Sequence, residues 1–231
     1  MIENSDFETF LYISKNKYQI FVYDTNNSKN LYNEVIENSD EIELNILSKF
    51  LDDNIYKIEK MIKNFIRNII LIVDDDKVLD ISISLKKKIY EKKADKKHLE
   101  NSLVEVKDIF RENYKDQIIM HMIISNNDKN ENNFLSNHDD SNDDNLILEV
   151  NFISIENNFT FDFDKLLESY QIKVGRHMSG KYIRNYIGEG SAELSTMANK
   201  LKNGLNKNEV QLVSKNVENR GFFERFFQLF S

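Results

Sequence analysis

The chain opens with short apolar runs separated by polar turns. Residues 10–14 (Phe-Leu-Tyr-Ile-Ser) and 18–24 (Tyr-Gln-Ile-Phe-Val-Tyr-Asp) flank Lys15-Asn16-Lys17 and predict two strands around a turn. A third strand is predicted over 31–36, after Asn26-Asn27-Ser28. The period then changes. Leu47, Leu51, Ile55, Ile58, Ile62, Phe65 and Ile69 recur at steps of three and four, which predicts a long helix over 44–68. Residues 69–73 (Ile-Ile-Leu-Ile-Val) are apolar throughout, the pattern of a buried strand. Leu79, Ile81, Ile83 and Leu85 then alternate with polar residues, so 69–88 reads as two strands around Asp74-Asp75-Asp76.

Leu99, Leu103, Val106 and Phe110 mark one face of a second amphipathic helix over 96–114. A strand carrying His121 follows at 117–125, then a polar Asn/Asp loop over 126–145. Further elements are predicted at 146–155 (strand), 163–170 (helix), 172–178 (strand), 192–202 (helix) and 209–213 (strand). Asn203-Gly204 supplies a helix C-cap, and 216–221 links to the tail. The order β-β-β-α-β-β-α-β-β-α-β, followed by a helix and a tail, predicts an α+β fold with largely antiparallel pairing rather than a doubly wound sheet. It divides the chain into an N-terminal strand and helix region (1–68), an α+β interaction module (69–187), a helix and short strand (188–215), and a linker with a tail helix (216–231).

Composition narrows the function. The 231 residues are 40% hydrophobic, enough for a core, and contain no Cys, so disulfides and thiolate metal sites are excluded. Pro and Trp are absent and Gly numbers 6, the residue set of an AT-rich coding sequence, so their scarcity says little about turns. A net charge of -8 argues against a nucleic-acid binder. The N-terminus is acidic and polar, and no apolar stretch approaches the roughly 20 residues that span a bilayer, so the body is expected in the cytoplasm.

The tail carries the strongest functional pattern. At about 100° per residue, Phe222, Phe223, Phe226, Phe227, Leu229 and Phe230 fall within an arc of roughly 160°, with Glu224, Arg225, Gln228 and Ser231 on the rest. A helix this short needs a surface to fold on. Its charges nearly cancel, so hydrophobic insertion into a lipid surface is expected to outweigh attraction to anionic lipid.

Other segments resemble chemical sites less well. Gly175-Arg176-His177-Met178-Ser179-Gly180-Lys181 has the spacing of a phosphate-binding loop, which would make a small nucleotide-dependent enzyme. Tyr182 stands where such a loop needs Ser or Thr to hold magnesium. Asp139-Asp140-Ser141-Asn142-Asp143-Asp144 resembles half of a calcium loop but lacks its Gly and closing Glu. His98, His121, His138 and His177 show no metal-ligand spacing. No residue set is put forward as catalytic, cofactor-binding or metal-ligating.

The sheet-rich start, the long helix, the β-β-α-β-β-α-β module and the Phe-rich tail together resemble FtsA, the actin-like protein that tethers the bacterial division filament to the inner membrane. Residues 12–24 with 31–36 resemble the opening strands of its first subdomain, 44–68 that subdomain's helix, and 69–178 its inserted interaction subdomain. Residues 222–230 resemble its membrane-targeting tail. The resemblance implies a partial actin-like first subdomain with an inserted module, peripheral at the cytoplasmic face of the inner membrane. It implies an adaptor for division or envelope-assembly proteins; the actin-like adaptors of pilus assembly share a similar module. It does not imply ATP binding, because the family's first phosphate loop opens with Asp, Gly and Thr where Ile13-Ser14-Lys15-Asn16 stands here. Only 187–221 stand where the family has two further subdomains, so direct FtsZ binding does not carry over.

Overall fold

The structure, a computed structural model, describes residues 7–38, 41–88, 96–125, 145–187 and 193–210. Its first elements are β1 (Phe7–Ser14), β2 (Lys17–Asp24), β3 (Lys29–Glu37), α1 (Leu44–Ile62) and β4 (Asn68–Asp74). Next come β5 (Leu79–Lys88), α2 (Lys96–Asn113), β6 (Gln117–Ser125) and β7 (Asn145–Glu156). The remainder is α3 (Asn157–Ser169), β8 (Lys173–Ser179), α4 (Gly180–Ile187) and α5 (Leu194–Lys202). The tail residues Phe222 to Phe230 and the acidic stretch Asp139 to Asp144 lie outside the described residues. Among the described residues, no helix is long and apolar enough to cross a membrane.

Five strands form one sheet in the order β3-β2-β1-β4-β8. β1, β2 and β3 are an antiparallel meander, whereas β4 runs parallel to β1 and β8 parallel to β4. The central strands are apolar on both faces because helices cover both. Leu11, Ile13, Leu71 and Val73 meet Leu47, Leu51 and Ile58 of α1 and Phe163 and Leu167 of α3. Phe10, Tyr12, Ile70 and Ile72 point the other way, onto Tyr182 and Ile183 of α4 and Met197, Ala198 and Leu201 of α5. A fully buried side chain of this kind contributes about 1.5–3 kcal/mol.

β5, β7 and β6 form a second, antiparallel sheet with β7 central. Val106 and Phe110 of α2 cover it, packing on Phe152, Leu148 and Val150. The expected module over 69–187 therefore contributes to both sheets. β4, at its start, is a central strand of the large sheet, and β8 returns to that sheet beside it. β4 and β5 do not pair, although Asp75 makes the local turn between them (Val78 N–H to Asp75 O, 3.1 Å).

Three local outcomes also differ from expectation. The first helix stops at Ile62 rather than at 68, because Lys63 adopts a left-handed conformation (φ 54°). The Glu59 carboxylate then accepts the Ile66 N–H at 3.1 Å, and Phe65 turns outward at 73% exposure. α4 was not anticipated. Of the strand expected at 209–213, Glu209 makes a single bridge to Ile123, and the positions from 211 onward lie outside the described residues.

Candidate functional site

Open α/β sheets generally bind ligands at the carboxyl ends of their parallel strands. Here those ends are Ser14, Asp74 and Ser179. The Tyr12 hydroxyl donates to Asp74 Oδ2 at 2.5 Å, and Arg184 of α4 donates to Asp74 Oδ1 at 2.8 Å and to the Tyr12 hydroxyl at 3.2 Å. The Asp74 carboxylate is thus engaged by a cation and a hydroxyl of the chain itself. α4 comes this close because residue 180 is glycine: a Cβ there would lie 2.7 Å from the Asp74 Cβ. Gly180→Ala must push α4 off β4, and we expect a loss of about 1–3 kcal/mol, read as a lower urea midpoint.

The turn beside Asp74 is likewise self-satisfied. The Ser14 hydroxyl accepts the Lys17 N–H at 3.1 Å, and Lys15 pairs with Asp76 at 2.7 Å, which holds the Asp76 carboxyl below the usual carboxylate range. A cavity of about 570 Å³ adjoins this turn. Glu41, Asp75, Asp76, Glu156 and Asp162 line it against Lys15 and Lys77. A wall with that excess of carboxylates repels a polyphosphate. Among the described residues, no group of three His, Cys, Asp or Glu side chains is placed to hold a metal ion.

The segment from Gly175 to Lys181 is not a phosphate-binding loop. Residues through Ser179 are extended in β8 and paired with β4, and Lys181 lies in the first turn of α4. Its backbone N–H groups therefore do not surround an anion. The Ser179 hydroxyl instead accepts the Tyr182 N–H at 3.2 Å and caps α4. That capping serine, followed by Tyr182, Ile183, Tyr186 and Ile187 at helical spacing, was the available signal for the missed helix.

The most constrained polar group lies where the two sheets meet. Glu209 has a side chain 1% exposed. It accepts from His121 Nδ1 of β6 (2.8 Å), Arg176 of β8 (2.8 Å) and the Tyr182 hydroxyl of α4 (3.1 Å). Asn206 donates to the Tyr182 hydroxyl at 2.8 Å, and burial pushes that hydroxyl's pKa up, so it stays protonated. Backbone bonds tie the same segment to β6, from Val210 N–H to Met122 O (2.8 Å) and from Ile124 N–H to Asn208 O (2.9 Å). One carboxylate therefore joins β6, β8 and α4.

His121 accepts the Ser179 N–H at Nε2 (3.0 Å), so its ring proton sits on Nδ1 and the ring is neutral. Burial lowers its pKa, Glu209 partly counters this, and Arg176 adds to the lowering. A depressed folded-state value means that its stabilisation is present above the unfolded value of about 6.5 and is lost as pH falls through the folded value. The urea midpoint is expected to fall as pH drops below about 6.5, and His121→Gln to flatten that fall. His177, in contrast, lies 3.6 Å from Asp164, and His98 is on α2 away from this cluster; His138 lies outside the described residues.

The sequence matches no protein-family profile and no curated protein. Solved structures give partial likenesses. A Bacteroides thetaiotaomicron protein with an actin-like ATPase fold and unknown function is 11% identical, with a TM-score of 0.34, over 80% of this chain and 58% of its own. The cytoplasmic domain of EpsL, an inner membrane component of the type II secretion system of Vibrio cholerae, is 8% identical, with a TM-score of 0.40, over 77% and 58%. A chain of the PilM–PilN type IV pilus biogenesis complex is 7% identical, with a TM-score of 0.46, over 78% and 49%. This chain thus spans between 49% and 58% of the length of those structures.

Proposed function

We propose that the protein is a non-enzymatic adaptor, held at a membrane surface by its Phe-rich tail and presenting its β-rich body to an envelope-assembly partner. The observation that carries the reading is the segregation of Phe222, Phe223, Phe226, Phe227, Leu229 and Phe230 onto one helical face, with polar residues on the other. The self-paired Asp74 and the acidic cavity beside it support the non-enzymatic half, since both disfavour a polyphosphate. The presenting half is supported by β3, which lies at the edge of the large sheet and pairs only with β2 among the described strands. Leu31, Val35 and Ile36 on it are 40%, 47% and 36% exposed. An apolar open edge of this kind can accept a strand from a partner.

The partner class we propose covers division and pilus-type assembly proteins; a division role like that of FtsA is one case within it. The test is flotation with lipid vesicles. The full chain should rise with the vesicles and a chain ending at Asn219 should stay behind; equal flotation of the two would refute the tether.

A further inference from the structure

We propose that the cleft between α2, β6 and β8 binds a phosphate group. The cleft measures about 660 Å³, within the range of about 300–1,000 Å³ usual for small-ligand sites. Lys107 and Arg111, one turn apart on α2, line one side, and Arg176 and His177 of β8 line another. In a chain of net charge -8 the grouping of Lys107, Arg111 and Arg176, the last paired with Glu209, departs from the background. Glu209 is the only carboxylate among the described lining residues, and its oxygens are already taken by His121, Arg176 and Tyr182.

Lys107 and Arg111 lie close enough on α2 to repel one another, with Asp108 beside them. Burial lowers the Lys107 pKa, Arg111 lowers it further, and Asp108 only partly opposes this. An anion in the cleft relieves that repulsion. One lining group also contributes a buried polar atom with no hydrogen-bond partner, Gln117 Oε1, whereas His177 Nε2 faces Asp164 of α3 at 3.6 Å. Gln117 Oε1 accepts from a phosphate O–H or from a hydroxyl of the group carrying it. The guanidinium forks of Arg111 and Arg176 match a tetrahedral oxyanion in two-point contacts. Phosphate on a soluble molecule and phosphate in a lipid headgroup share this chemistry.

Calorimetry with inorganic phosphate, titrated into the full chain against chloride at equal ionic strength, is the first arm. Saturable binding is expected, weakened at least tenfold in Lys107→Ala/Arg111→Ala, whose melting temperature in phosphate-free buffer should match the unmodified chain. The second arm offers phosphatidylglycerol and phosphatidylcholine vesicles to Phe226→Asp/Phe227→Asp, which removes the tail's contribution. Uptake by phosphatidylglycerol vesicles that the α2 substitutions abolish supports the site with a lipid source; phosphate binding without uptake supports it with a soluble one. No binding in either arm overturns the proposal, as does binding that survives the α2 substitutions. A polyglutamate peptide that binds where phosphate does not would also overturn it, in favour of a protein partner.

Discussion

Glu209→Ala is expected to destabilise the protein by about 3–5 kcal/mol, the usual result of removing one partner from a buried ionic group. The cost arises from what is left behind. Arg176 keeps a charge that is largely buried, the His121 Nδ1–H loses its acceptor, and the Tyr182 hydroxyl loses Glu209 Oε2. The backbone bonds of Asn208 and Val210 to β6, the Asn206 bond to Tyr182 and the packing of Val210 must then hold the segment without it. For a chain of this size the loss corresponds to a fall in melting temperature of roughly 10 °C. Glu209→Gln keeps an acceptor oxygen and should fall between the two. Asp53→Ala, at an exposed position on α1, should stay within about 0.5 kcal/mol of the unmodified chain. Thermal and urea denaturation measure all three, and an alanine variant as stable as the Asp53 control would remove Glu209 from its place as the joint between the sheets.

Phe226→Asp with Phe227→Asp should weaken vesicle binding by about a hundredfold or more. Each buried Phe is worth about 1.5–3 kcal/mol, so losing two removes at least ~3 kcal/mol before any penalty for a carboxylate at the lipid surface. Glu224 and Arg225 nearly cancel, so binding by the unmodified tail should change little when salt is raised. Lys181→Ala should leave it unchanged, since Lys181 of α4 is not among the residues of the lipid contact proposed. Co-sedimentation at two salt concentrations reads both effects. A salt-sensitive affinity that survives the double substitution would mean that basic patches of the body, and not the tail, make the contact.

Local pattern carried most of the elements and little of their assembly. The unbroken run from Ile69 to Val73 identified a strand buried on both faces, and both faces are covered. Whether that strand runs parallel or antiparallel to its neighbours is decided by partners remote in sequence, and Phe10 with Ile70 and Ile72 with Met178 turned out parallel. The turn at Asp75 looks like that of a hairpin because its local bonding is that of a hairpin turn. β4 is paired on both sides, by β1 and β8, so β5 pairs with β7 instead and sets Ile81, Ile83 and Leu85 against the α2 cluster. Scarce glycine hid the chain reversal at Lys63, which takes a positive φ where glycine would have marked the turn; Gln171 does the same, but there the change from helix to strand pattern already marked it. The Glu209 cluster was illegible for the same reason as the pairing. It joins positions 33 and 88 residues apart, and nothing local distinguishes Glu209 from any other surface acid.

The tether itself is tested most directly by fluorescence. The chain contains no Trp, so Phe226→Trp places a single reporter in the apolar face of the tail. Its emission should lie to the red in buffer, move to the blue when vesicles are added, and be quenched by lipids brominated near the headgroup. Emission that is already blue in buffer and indifferent to vesicles would show the tail packed on its own protein, and the tethering claim would fall.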